Sequence, residues 1–139
     1  MAHFAKIDDD NLILAVHCVD NHNLLDENNE EQELLGQQYL QTHSNWPAEK
    51  WIQTSYNLNF RINFAQLGGT WDATNNMFWP AKPYPSWVKN VSAKEWQSPV
   101  GDAPDLTEEQ ISQNNALTHL WFYNWNEDNG RWDLTDDNL

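Results

Sequence analysis

Apolar positions along the chain fall in short, separated runs. Phe4–Ile7 and Leu12–Val19 flank the polar stretch Asp8–Asn11. That spacing predicts an N-terminal β-hairpin closed by a polar turn. The second run is apolar at nearly every position except His17, which predicts a central strand buried on both faces. Residues 20–29 read as a polar loop, with a helix after it. Asn28 is the expected N-cap, and Glu31 stands three residues on, as in a capping box. Glu30, Glu31 and Glu33 suit the positive end of the helix dipole. Leu34, Leu35, Tyr39 and Leu40 form a narrow apolar stripe, interrupted by Gly36 at a cost of about 1 kcal/mol. The helix is expected to end at residues 42–45, before Trp46-Pro47.

Trp51–Tyr56 then reads as a strand, Asn57–Asn59 as a turn, and Phe60–Phe64 as a second strand. In the last, Phe60, Ile62 and Phe64 share one face, and Arg61 and Asn63 the other. Gly68-Gly69 permits positive φ ahead of the stretch from Gly69 to Trp87, where aromatic residues and prolines concentrate.

Three aromatic units follow, each an aromatic, a polar turn and a second aromatic. They run from Trp71-Asp72 to Phe78-Trp79-Pro80, from Trp87-Val88 to Trp96 and Pro99, and from Trp125 to Trp132. They predict three β-hairpins stacked side by side as a small repeat array, although the spacing between aromatics differs. Between the second and third lies the clearest helix start. Thr107 is the N-cap, Gln110 completes a capping box, Leu106 and Ile111 occupy the hydrophobic-staple positions, and the helix ends near Asn114-Asn115. His119–Trp125 resumes as a strand, and Thr135–Leu139 reads as a frayed acidic tail. The expected fold is β-rich α+β in one small domain. Residues 1–66 hold the N-terminal hairpin, helix and strands, and residues 67–139 the Trp-hairpin repeats.

Composition sharpens this picture. Nine Trp in 139 residues, with a mean hydropathy of −0.81, describe a core of few large aromatic anchors under an amide-rich surface. Net charge is −14, from 21 acidic against 7 basic residues, and the basic residues stand singly. Such a surface repels phosphate backbones and anionic lipid, so neither nucleic acid nor membrane is an expected partner. Cys18 is the only cysteine, which leaves no intrachain disulfide. The N-terminus shows no basic-then-apolar leader, and the longest apolar run, Leu12–Val16, is too short to span a bilayer.

Candidate chemistry is sparse. His17, Cys18 and His22 lack the spacing of a metal site, and His17 reads as a hydrogen-bonded structural residue. The acidic turns at residues 8–11 and 126–130 do not fit a calcium loop. Nucleophile elbow, P-loop and dinucleotide fingerprint are all missing, so no catalytic residue, cofactor or metal is expected. Pro80–Pro83 matches PxxP and reads as a rigid spacer. The candidate interaction residues are the aromatics Trp71, Trp79, Tyr84, Trp87, Trp96, Trp125 and Trp132, suited to sugar stacking or to protein contacts.

Five stretches carry a family resemblance: Met1–Ile7, Leu25–Glu33, Gln53–Arg61, Pro83–Trp87 and Trp125–Trp132. Through them the chain resembles small virion-associated proteins of tailed phages of marine bacteria, cyanophages especially. It departs from that pattern at Gly68–Trp71, where a Tyr-rich version is commoner. The family has no assigned activity, so the resemblance brings no catalytic or ligand residues. It implies a virion protein made in the host cytoplasm; together with small size, acidity and the Trp excess, the expectation is decoration of the outer head surface, with other capsid or tail proteins as partners and a homo-oligomer as an alternative form. Two alternatives stand beside it. One is a tail-fibre-associated or receptor module binding host-surface glycan; the other is a non-virion protein binding a host factor.

Overall fold

The computed structural model describes residues 1–137. Among them are two α-helices and nine strands in four small sheets, a β-rich α+β arrangement. The chain divides into two compact units. The first comprises Met1–Lys82 with Asn90–Glu95, and the second Pro83–Lys89 with Trp96–Leu139. The first aromatic hairpin therefore belongs with the N-terminal sheet, beyond the internal boundary expected at residues 66 and 67. No helix among the described residues is long and apolar enough to cross a membrane.

The first unit is built on β1 (Ala2–Ile7), which pairs antiparallel with β2 (Ile13–Val19) on one side and β3 (Trp51–Thr54) on the other. Here the expectation of a central second strand fails. β1 is central and β2 is an edge strand with Leu14 and Cys18 exposed. The cause lies in what each face of β1 meets. Ala2 and Phe4 pack with Val19, Leu24, Leu40 and Trp51 on the helix side. Ala5 and Ile7 pack with Ile13, Ala65 and Phe78 on the opposite side. The short, less apolar strand is thus the one buried on both faces.

Helix α1 (Glu33–Ser44) covers the first of these faces. Its N-cap is Gln32, not the expected Asn28, which sits in a turn closed by Asp26. Asp26 Oδ1 accepts from the backbone N–H of Asn28 (2.8 Å) and of Glu30 (3.0 Å). Asp8 does the same for Asp10 (2.8 Å) and Leu12 (2.9 Å). In both turns the Asn three residues after the Asp, Asn11 or Asn29, adopts positive φ. The helix ends at Asn45 in the left-handed conformation, φ 51°, as residues 42–45 led one to expect. Of the predicted stripe, Leu40 is buried and Leu34 exposed, while the unpromising Gly36 is buried.

Three hairpins complete the strands: β4 (Thr70–Asp72) with β5 (Met77–Trp79), β6 (Val88–Asn90) with β7 (Glu95–Gln97), and β8 (Trp121–Asn126) with β9 (Arg131–Asp136). Each is a separate two-stranded sheet, so hydrogen-bonded strand pairing does not join them into one array. Their turns nevertheless follow one plan. Asp72, Asn90 and Asn126 each accept from the backbone N–H three residues on, at 3.1, 3.0 and 3.0 Å. The residue after that N–H, Asn76, Lys94 or Gly130, has positive φ. Aligned on this turn, the repeat is ten residues long: 70–79, 88–97 and 124–133. The irregular spacing in the sequence reflects Trp87, which precedes its hairpin instead of opening it.

Helix α2 (Glu108–Asn115) has the predicted Thr107–Gln110 capping box in full. Ile111, a predicted staple residue, is exposed. Asn114 ties the helix to β8, accepting from Trp121 N (2.7 Å) and donating to Trp121 O (3.0 Å). Thr135 and Asp136 belong to β9, not to a frayed tail; residues 138 and 139 lie outside the described residues. Residues 80–83 carry neither helix nor strand.

Candidate functional site

The seven aromatics singled out in the sequence separate into two sets. In the first unit, Trp71 lies opposite Phe78 across β4 and β5, with ring centroids 4.7 Å apart. The Arg61 guanidinium stands 5.2 Å from the Trp71 ring. Trp79 is buried, and its indole N–H donates to Asp72 Oδ2 at 3.0 Å. In the second unit, Trp125 and Trp132 are direct cross-strand partners, 5.2 Å apart at 70°. Trp87 meets both edgewise, at 6.1 and 5.9 Å, and Tyr84 stands 5.5 Å from Trp87. Trp96 has Lys89 Nζ 5.9 Å from its ring, a cation–π contact where the other two hairpins have aromatic pairs.

Indole N–H groups show what these rings are for. Those of Trp46, Trp51, Trp79, Trp121, Trp125 and Trp132 donate to Ile7 O, Trp46 O, Asp72, Gln113, Glu127 and Gly101 O respectively. A Tyr or Trp that meets its polar obligation inside the fold serves packing first. Glu127 accepts from Trp125 Nε1 (2.8 Å) and also from Ser86 Oγ (2.5 Å) and Ser86 N (3.1 Å). The Trp87 indole N–H is buried and has no partner among the described residues. Trp79 and Trp125, both buried, offer no face to a ligand.

The sites weighed for metal are unremarkable. His17 packs its ring 4.9 Å from Trp51, and Cys18 is exposed. No group of three His, Cys, Asp or Glu side chains among the described residues is placed to hold an ion.

Comparison of the chain with models of known protein families, with curated proteins and with solved structures gave no match.

The sequence reading missed a cleft in the first unit. Residues 60–64 do not form the predicted strand: they bend, with Leu58 and Arg61 at positive φ. Arg61 is drawn to the outer edge of β3, where Nη1 donates to Gln53 O (2.9 Å) and Nη2 to Glu33 Oε1 (3.0 Å). Glu33 Oε2 accepts from Arg61 Nη1 and from Gln53 N (2.7 Å), and Gln37 Nε2 donates to Trp51 O (2.6 Å). Side chains thus satisfy an edge that would otherwise invite another strand. The detour leaves a depression of about 170 Å³ beside β3, lined in part by Gln53, Tyr56, Asn57, Asn59, Phe60 and Glu31. Tyr56 is 70 % exposed and Phe60 41 %. The only advance signal is the density of Asn, Gln and aromatic residues over 53–60.

Proposed function

We propose that this chain is a non-enzymatic accessory protein of a phage particle, decorating the outer surface of the head through contacts with capsid neighbours. The observation that carries this reading is the hairpin plan. Ten-residue units with locally closed turns, two of them with paired rings, make stiff elements suited to contact rather than to chemistry. The net charge of −14 supports a place outside the shell, away from packaged DNA. The resemblance to small virion proteins of marine phages supports the same assignment.

Quantitative mass spectrometry of purified particles, normalised to the major capsid protein, tests it. Copies in the hundreds are expected, and purified protein should rebind particles made without it. A handful of copies per particle would move the protein to the tail or its fibres; absence from the particle would overturn a virion role. A second reading, a tail-fibre-associated or receptor module, is favoured by one observation: Tyr56 and Phe60 stand exposed at the rim of a polar cleft.

A further inference from the structure

We infer that the cleft beside β3 is a binding site for a single ring of a neutral sugar, stacked on Tyr56 and hydrogen-bonded by Gln53, Asn57, Asn59 and Glu31. This inference is independent of the head-decoration reading, since a head or a tail protein can carry such a site.

The first observation concerns unused polar groups. Side-chain amides such as Gln37, Gln41, Asn63, Gln113, Asn114 and Asn126 bond within the protein, while exposed ones such as Asn28 and Gln66 stand singly; the cleft is where several open amides converge on one depression. Around the cleft the side chains of Gln53, Asn57, Asn59 and Glu31 have no hydrogen-bond partner among the described residues. Three amides, each donor and acceptor, together with an acceptor carboxylate, match the mixed demands of sugar hydroxyls.

The second observation concerns the aromatic platform. Tyr56 is exposed yet braced, stacked on His3 with centroids 5.7 Å apart and 23° between planes. Phe64 meets Tyr56 edgewise at 5.5 Å and His3 at 5.6 Å. A ring held from behind with an open face is preorganised for the apolar C–H face of a pyranose. The floor is equally fixed, because the backbone N–H and carbonyl of Gln53 are held by Glu33 and Arg61.

Size and charge narrow the ligand. At about 170 Å³ the cleft is below the roughly 300–1,000 Å³ typical of sites for drug-sized ligands, which fits one sugar ring. No Lys or Arg side chain lines it, Arg61 being paired with Glu33; Met1 and His3 belong to the lining on the β1 side, and Glu31 adds a negative charge. With that carboxylate at the lining and a net charge of −14 on the chain, sialylated, sulfated and phosphorylated ligands and nucleotides are disfavoured. Neutral hexose rings remain, either free or as termini of surface glycans.

The test uses the full chain labelled with ¹⁵N. Methyl α-mannoside, methyl β-galactoside and methyl β-glucoside are titrated to well above roughly 1 mM, the scale of a weak single-ring complex. Saturable shifts of the Gln53, Asn57 and Asn59 side-chain amide signals are expected with at least one of them. Tyr56→Ala should weaken that binding by at least about tenfold while leaving the fold intact, since its ring is mostly exposed. Asn57→Ala serves as an independent second variant with the same expected loss. A glycan array separates the two sources: retention on immobilised neutral glycans marks surface termini, and binding of methyl glycosides alone marks a free sugar. The inference is overturned if no neutral sugar moves these amides, if only anionic glycans bind, or if both folded variants bind as tightly as the parent.

Discussion

Replacing Gly36 by Ala sets two effects of known size against each other. In a helix interior the substitution ordinarily stabilises by about 1 kcal/mol. Here a Cβ on residue 36 would lie 2.4 Å from Phe4 Cζ, 2.8 Å from Phe4 Cε1 and 3.2 Å from Leu24 Cγ. Carbon atoms rest at about 3.5–4.0 Å, so the Phe4 ring has to retreat by roughly 1 Å. It has nowhere to go, because Phe4 and Leu24 are both fully buried, between α1 and the sheet. Overpacking of this kind costs about 1–3 kcal/mol, and the shortest contact places this case at or slightly above the upper end. The net expectation is a loss of about 2 kcal/mol. At an unfolding entropy near 2.1 cal/mol/K per residue, that is a fall in Tm of about 7 °C for the whole chain. Thermal melts followed by far-UV circular dichroism measure it. The same substitution in a Phe4→Leu background, where the ring tip is gone, should be neutral or stabilising. A rise in Tm for Gly36→Ala alone, or an equal loss in both backgrounds, refutes the close-approach explanation.

Other expectations follow from the same contacts. Arg61→Met leaves Gln53 O without its donor and the half-buried Glu33 carboxylate with only the Gln53 N–H, and should cost about 2 kcal/mol. A double-mutant cycle with Glu33→Gln should give a coupling above about 1 kcal/mol, and additivity of the two losses would sink the edge-clamp reading. Asn126→Ala removes both the acceptor that closes the third hairpin turn and the amide that donates to Asp133 Oδ2 (2.8 Å), and should destabilise by about 1–2 kcal/mol in denaturant melts; Asn126→Asp keeps the turn acceptor but sets a second carboxylate against Asp133, and should destabilise as well. Asp26 titrates below its ordinary 3.8, held there first by the backbone N–H of Glu30 and then by that of Asn28. A depressed folded pKa contributes stability that is present above the unfolded value and lost as pH falls through the folded one. An NMR titration should therefore find the Asp26 carboxyl midpoint below pH 3.8, and Asp26→Asn should flatten the pH dependence of melting only below about pH 4. A midpoint at or above the ordinary value would count against the turn geometry.

What the sequence made legible was local chemistry. Thr107 and Gln110 announce their helix because both partners of the capping box lie within one turn. The aromatic hairpins were visible for the same reason: Asp72, Asn90 and Asn126 close their own turns. Failures arose where a residue answers to something distant. Asn28 resembles an N-cap but belongs to the Asp26 turn. Phe60–Phe64 alternates like a strand, yet Arg61 is recruited by Glu33, 28 residues earlier, and the alternation never pairs. The apolar run of β2 looks central, but centrality goes to β1, whose small Ala2 and Ala5 let both layers approach. The candidate cleft shares this origin, since residues 57–61 turn beside β3 to bring Arg61 to Gln53 and Glu33 instead of pairing as a strand.

The two kinds of pairing in this molecule also differ in when they can form. In the ten-residue hairpins the paired rings are neighbours along the chain, as with Trp125 and Trp132, so closure needs only a short loop and belongs to the microsecond range. Pairing of Phe4 with Gln53 must close nearly fifty residues, including all of α1. That entropic delay sets the pace for the first unit, and the hairpins precede it. Substitutions at the β1–β3 seam should therefore slow folding, while those within the β8–β9 hairpin mainly alter how fast the second unit comes apart.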